Sequence, residues 1–528
     1  MRGPAYMTRT APAAETSKEP RWELTLADET ETAALAGVIA RTLKAGDLML
    51  LSGELGAGKT TFARALVRAR AGDPDLEAPS PTFTLLQTYD LAGGPVVHAD
   101  LYRLSGPDEL EELGWDEAGD DAIVLVEWPD RLGPDLPPDR LELTLDAGDG
   151  DGARRATLIG HGAFAPRLVR LRDKRRFLDE AGWADAAHAH IQGDASGRIY
   201  ERLTRAGRTA ILMDAPARAP SPPLRDGKPY SVLAKLATDV KPFVAMADGL
   251  RALGYGAPEI YASDLKTGFL LVEDLGMEPV VAGGPIANRY ETAVDLLADL
   301  HSRALPIELP VGAEVYRPPF YDSSAFLVEC DLLNDWYLPE ATGAAPQAEA
   351  RAEFAALWAA ALEPVLAEKL TWTLRDYHSP NLTWRGEEDG LKRLGLLDFQ
   401  DAALGPPAYD VVSLLQDARV DVGEELEIAL AARYIAARRK ADPAFDPKLF
   451  ARAYATMGAQ RATKILGIFV RLARRDGKPG YLANIPRVQR ALAANLAHPD
   501  LAELAAWYDA HLSPSAAPEP GPAEAAQT

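Results

Sequence analysis

Short apolar runs that close on a polar or charged residue punctuate the first 160 residues: Leu48-Met49-Leu50-Leu51, Pro95–Asp100, and Ala122–Val126 ahead of Glu127. Runs of this length predict strands buried on both faces, as in a parallel sheet. Thr61–Ala69 has helical composition, with Phe62, Leu66 and Ala69 on one predicted face. Leu141–Leu145 alternates at period two, Asp146–Gly152 has turn composition and Ala156–Ile159 returns, which predicts a closing hairpin. Strand, loop and helix in this order give an α/β fold class. Farther along, a strand is predicted at Leu394–Phe399.

At 528 residues the chain exceeds one domain of about 100–200 residues. The expected organisation is a polar, disordered N-terminus (1–21), a first domain (22–162), a linker around His161–Pro166, a second domain (165–512) and an Ala/Pro/Glu-rich disordered tail (513–528). Met1 and Met7 are both candidate starts, and no repeat appears at a period of 20–50 residues. No apolar run approaches the roughly 20 residues a membrane span needs, and the N-terminus lacks a signal-peptide stretch, so a cytoplasmic protein without membrane contact is expected. The lone Cys330 excludes an internal disulfide framework and reads as a small buried hydrophobe.

Charge changes the picture further. The net charge is −22, and residues 1–160 hold 29 Asp and Glu against 15 Lys and Arg, or −14. Nucleic acid calls for a basic face, so any RNA link of the first domain is expected to run through a partner protein.

Gly53-Glu54-Leu55-Gly56-Ala57-Gly58-Lys59-Thr60 fits G-x-x-x-x-G-K-[ST] without mismatch, between a predicted strand and a predicted helix. Glycines let backbone N–H groups turn around a phosphate, and the helix N-terminus adds partial positive charge. Lys59 is expected to reach the β/γ-phosphates and the Thr60 hydroxyl to ligate Mg²⁺, which makes this an ATP or GTP site. Asp100 and Glu127 close their strands at the edge where Mg²⁺ or its waters are held.

Gly53–Thr61, Ser80-Pro81-Thr82-Phe83, His98-Ala99-Asp100-Leu101-Tyr102-Arg103-Leu104 and Val126-Glu127-Trp128-Pro129 follow one another as in TsaE proteins, which residues 22–160 resemble. These are the small bacterial ATPase subunits of the machinery that makes threonylcarbamoyladenosine in tRNA. The resemblance implies a P-loop ATPase that works with TsaB and TsaD and meets tRNA only indirectly. It also implies Mg²⁺ bound by Thr60 and Glu127, Asp100 needed for hydrolysis, a switch loop at Ser80–Thr82, and an adenine bordered by the helix near Thr30–Thr32.

A second phosphotransfer signature lies downstream. Arg375-Asp376-Tyr377-His378-Ser379-Pro380-Asn381 precedes a strand ending in Asp398-Phe399-Gln400-Asp401. In kinase-fold enzymes the first Asp orients the attacking hydroxyl and accepts its proton, the Asn binds a metal, and the strand-end Asp binds Mg²⁺ on the phosphates. Gly193–Arg198, with Gly193 and Ser196, resembles a loop over the phosphates, and Phe269–Gly276 a hinge that pairs with adenine. His301 reads as a structural histidine.

Residues 170–510 resemble the aminoglycoside/choline phosphotransferase family, a two-lobed, protein-kinase-like α+β fold. Leu396–Ala402, Gly405-Pro406-Pro407-Ala408-Tyr409-Asp410 and Met213-Asp214-Ala215-Pro216 look closest to AmgK-like kinases of cell-wall recycling. That likeness implies phosphorylation of N-acetylmuramate and N-acetylglucosamine, both amino sugars, at the anomeric hydroxyl, with ATP as donor. Asp376 would be the base, Asn381 and Asp398 the metal ligands, and Asp410 a brace of the catalytic loop. The sequence departs from the pattern twice. Leu374 replaces the usual His, and the strand Lys that pairs with ATP has no counterpart, Met213 standing about where it belongs. Lys235 and Arg198 are the cations that could stand in, and the sequence does not select between them. Two other readings stay open: a kinase for an aminoglycoside, choline or homoserine, and a non-catalytic pseudokinase that docks partners.

Overall fold

A computed structural model describes residues 19–81, 84–104, 109, 121–134, 136–150, 152–191, 197–218 and 221–512. It divides into two compact units, Met1–Glu180 and Ala181–Thr528. Gly193, Ser196, Thr82 and the tail from 513 lie outside the described residues.

The first unit runs β1 (Arg21–Leu26), α1 (Glu29–Ala40), β2 (Leu48–Ser52), α2 (Lys59–Ala71), β3 (Leu86–Tyr89), β4 (Val96–Asp100), β5 (Ile123–Glu127), β6 (Arg140–Ala147), β7 (Arg154–His161) and α3 (Phe164–Glu180). Its seven strands form one sheet in the order β1-β7-β6-β2-β5-β4-β3. The inner strands β6, β2, β5 and β4 are parallel, with antiparallel pairs at both edges. Strands β4 and β5 are buried throughout and β2 at all but its last residue, which explains their unbroken apolar runs. The predicted hairpin is β6–β7, Leu141 facing Gly160 and Leu145 facing Ala156.

Two details differ from the sequence reading. Helix α2 starts at Lys59 and turns Phe62, Ala63, Leu66 and Val67 inward, leaving Ala69 exposed. The true stripe is two residues wide per turn, and Ala69 falls just off it. The stretch read as a linker and the start of the second domain is instead the end of β7 and helix α3. Phe164, Leu168 and Leu171 of α3 share a core with Trp22, Leu141 and Leu158, and Arg167 pairs with Asp47 at 2.6 Å.

The second unit opens with an antiparallel sheet. Its strands are β8 (Ala187–Ile191), β9 (Ile199–Arg205), β10 (Arg208–Asp214), β11 (Ile260–Asp264) and β12 (Phe269–Glu273), in the order β11-β12-β10-β9-β8, with α4 (Lys241–Ala252) between β10 and β11. The rest is mainly helical: α5 (Ala287–Ser302), α6 (Ser323–Leu332), α7 (Ala348–Leu366), α8 (Ala408–Leu415), α9 (Glu424–Ala441), α10 (Pro447–Arg474), α11 (Ile485–Leu496) and α12 (Ala502–His511). Helix α10 runs through the middle of this lobe, and a Cβ on its Gly467 would stand 2.2 Å from the Leu332 carbonyl oxygen of α6. Two short ribbons, Thr371–Thr373 with Ala403–Gly405 and Leu382–Trp384 with Leu394–Leu396, frame the loops that carry Asp376 and Asp398.

Candidate functional sites

In the first unit the site lies at the carboxyl ends of the parallel strands, where ligands of open α/β sheets bind. The turn from β2 into α2 needs left-handed backbone at Gly53, Gly56 and Gly58 (φ 138°, 79° and 104°). A Cβ on Gly53 would lie 2.3 Å from the Leu145 carbonyl oxygen of β6, so the loop fits against the sheet only without a side chain there. Sheet register places Asp100 beside Glu127, and Glu127 beside Leu51, two residues before the loop.

The Thr60 hydroxyl donates to Glu127 Oε2 at 2.9 Å, while Glu127 Oε1 meets His98 Nε2 at 2.9 Å. Asp100 accepts from Ser80 Oγ and from the Tyr102 backbone N–H, both at 3.2 Å. These hydroxyl and carboxylate oxygens could hold Mg²⁺ on a nucleotide, since the ion favours one or two protein oxygens alongside phosphate. Lys59 is buried, its Nζ donating to the Gly53 and Glu54 carbonyls at 2.8 and 2.9 Å and standing 3.8 Å from the Trp128 ring centroid. Burial pulls its pKa down against the opposing pull of Glu127 and Asp100. Glu54, Leu55 and Thr61 complete the loop, with Leu55 exposed at its tip.

The sequence did not reveal Arg154. From the start of β7 it donates Nε to Ala57 O at 2.8 Å and Nη2 to Gly56 O at 3.3 Å, buttressing the phosphate loop from the neighbouring hairpin. Its separation from the loop of nearly 100 residues hides this pairing. Trp128 and His98 stood in recognised motifs, but their contacts with Lys59 and Glu127 become visible only in three dimensions.

In the second unit Asp376, Asn381 and Asp398 come together below a cavity of about 540 Å³. Val272–Gly276, the end of the stretch expected to be a hinge, and Met277 line one side, Ile211, Met213 and Phe243 the back, and Asn381 and Asp398 the floor. Asn381 Nδ2 donates to Asp376 O at 2.9 Å, leaving its amide oxygen free to accept a cation. Asp398 sits in left-handed backbone (φ 55°) and accepts from Arg198 Nη1 and Gln400 Nε2, both at 2.8 Å. Burial and nearby Asp376 push the Asp398 carboxyl up more than Arg198 and Gln400 draw it down. The Asp398 carboxylate and the Asn381 amide oxygen are the kind of hard oxygen donors a divalent cation would take.

The loop that carries Asp376 is held from beneath. Asp410 accepts the Leu374 and Arg375 backbone N–H groups at 2.6 and 2.9 Å, and burial pushes its pKa up to about 7 against those bonds. Arg375, in left-handed backbone (φ 68°), pairs with the fully buried Glu329 of α6 at 2.5 Å, which also takes Lys464 of α10 at 2.9 Å. Leu374 is therefore no gap: its side chain packs in the core and its N–H anchors the turn. Burial pushes the Asp376 carboxyl up, but opposing charge, from His378 when it is protonated and from the Lys464, Arg461 and Arg375 cations throughout, holds it below the usual range. Burial drives His378 down to about 4 despite Asp376, so the ring is neutral near pH 7 and the fixed cations keep Asp376 ionised.

His378, whose Nε2 lies 3.9 Å from Asp376 Oδ1, is a second residue that the sequence reading passed over. Lys235 pairs with Asp322 at 3.3 Å. His301 is buried, bonded to Tyr434 OH at 2.8 Å, and burial holds its pKa well down, as suits a structural histidine. Among the described residues no helix is long and apolar enough to cross a membrane.

Comparison with known proteins divides the chain the same way. Residues 26–156 match the family model of the threonylcarbamoyl adenosine biosynthesis protein TsaE, and residues 188–444 that of the phosphotransferase enzyme family. The N-acetylmuramate/N-acetylglucosamine kinase of Caulobacter vibrioides is 39% identical over 354 residues, spanning 64% of this chain and 96% of the relative. Its counterpart in Pseudomonas aeruginosa is 33% identical over 332 residues, 61% of this chain and 89% of the relative. The tRNA threonylcarbamoyladenosine biosynthesis protein TsaE of Rickettsia conorii is 40% identical over 137 residues, 26% of this chain and 78% of the relative.

Proposed function

From a chain that belongs to the TsaE family through its N-terminal part and to the N-acetylmuramate/N-acetylglucosamine kinases through its C-terminal part, we infer a bifunctional enzyme. The first unit is an ATPase of the tRNA threonylcarbamoyladenosine machinery, working with TsaB- and TsaD-type partners. The second transfers the γ-phosphate of ATP to the anomeric hydroxyl of N-acetylmuramate or N-acetylglucosamine. The observation that carries the kinase reading is that Asn381 and Asp398 line the floor of a hinge-lined cavity with Asp376 next to them, its carbonyl bonded by Asn381.

Phosphoryl transfer asks little covalent chemistry of the protein beyond alignment and neutralisation of charge. Asp376, kept ionised by its cationic neighbours, orients the sugar hydroxyl and accepts its proton. The sugar oxygen bonds to the γ-phosphorus as the bond to the bridging oxygen breaks, and ADP leaves. Mg²⁺ bound by Asn381 and Asp398 would neutralise the phosphates. In the first unit Thr60 and Glu127 would hold the Mg²⁺ that comes with the nucleotide, Lys59 binds the β/γ-phosphates, and Asp100 places the water.

ADP release tests the kinase half, with N-acetylmuramate, N-acetylglucosamine, choline and kanamycin offered in turn. Sugar-dependent release that Asp376→Asn abolishes is expected. Turnover of choline or kanamycin alone would overturn the substrate assignment.

A further inference from the structure

Kinase-fold enzymes bind the ATP phosphates with a strand lysine that an acid from the neighbouring helix holds in place. Here both partners are apolar. The cavity-facing positions of β10 are Ile211 and Met213, and α4 contributes Phe243 to the cavity, stacked on Phe399 at 4.9 Å. The one acid of α4, Asp248, points to solvent. A cation is present all the same, one strand away. Alternate residues of a strand share a face, and Tyr200 and Arg202 of β9 line the cavity. Arg198, two positions before Tyr200, continues that face toward the metal-binding end and reaches Asp398 at 2.8 Å with only 12% of its side chain exposed. Arg202 is committed to the hinge through Asp274 at 2.6 Å, and Lys235 to Asp322.

We propose that Arg198 is the phosphate-binding cation of the second site and takes over the role of the strand lysine. The inference rests on the kinase reading above. Asp398, which Arg198 neutralises here, is one of the residues that would hold Mg²⁺ with the nucleotide. Arg198 gives its Nη1 to Asp398, and the planar fork suits it to address the β- and γ-phosphate oxygens as well, with or without Mg²⁺ on that carboxylate.

Calorimetric titration of the full chain carrying Lys59→Ala, which silences the first site, tests this. ADP is titrated with Mg²⁺ and again in EDTA, and adenosine serves as the control for a folded hinge. Arg198→Met is expected to weaken ADP binding on the order of tenfold or more in both conditions, the size of a lost charge-assisted hydrogen bond. Arg198→Lys should lose less, and adenosine affinity should not change in either variant. If Arg198→Met weakens ADP only when Mg²⁺ is present, Arg198 merely positions Asp398 and the proposal fails. Unchanged ADP affinity in EDTA for both variants would likewise overturn it. Absence of ADP binding by the Lys59→Ala protein with Arg198 intact would instead bring down the kinase reading itself.

Discussion

Asp410 shows how much one side chain can carry. Its two oxygens hold the N–H groups of Leu374 and Arg375, both buried, directly ahead of Asp376. Asp410→Ala leaves two buried donors unpaired at about 1–3 kcal/mol each, so a loss of roughly 2–6 kcal/mol is expected. A urea melt of the second unit's signal checks this, and a midpoint unchanged from wild type would contradict it. Asp376 allows a prediction about pH. Its carboxyl is held below its ordinary value by the cations around it, so the basic form persists across the neutral and mildly acidic range. His378, pushed down to about 4, stays neutral over the same range. At saturating Mg·ATP, kcat for sugar should therefore show no acid limb between pH 8 and pH 6. A fall centred near pH 6.5 would mean that His378 titrates as an ordinary histidine.

The elements around the phosphate loop could be read largely from the sequence. Unbroken apolar runs mark strands buried on both sides, and the glycine pattern marks a turn that only glycine can make. Contacts between distant elements left no such mark. Arg154 of β7 props the loop at Ala57, and α3 packs on the first sheet although its charged sequence gives no sign of which neighbour it joins. Arg154→Ala should therefore raise the Kd of the first site for ATP several-fold while Thr60 and Glu127 remain paired. A nucleotide titration followed by Trp128 fluorescence reads this, because Trp128 contacts Lys59. Asp100→Ala should leave nucleotide affinity near wild type and lower ATP turnover, since Asp100 lies with Ser80 and Tyr102 rather than on Lys59 or Thr60.

For the molecule as a whole, charge and connectivity set the expectations. An excess of −14 over residues 1–160 repels phosphate backbones, so RNA should be reached through a protein partner. Salt-sensitive binding of the full chain to tRNA without a partner would count against that. The motif order announced two catalytic centres, and the structure gives each its own unit and core. Lys59→Ala should accordingly spare sugar phosphorylation, and Asp376→Asn should spare ATP hydrolysis by the first unit. The central claim is that Asp376 delivers an anomeric sugar hydroxyl to ATP. Phosphorus NMR of the product from N-acetylmuramate and ATP tests it most directly. A sugar 1-phosphate, formed by the wild-type chain and by Lys59→Ala but not by Asp376→Asn, is the predicted result; a sugar 6-phosphate, or product that persists in Asp376→Asn, would contradict it.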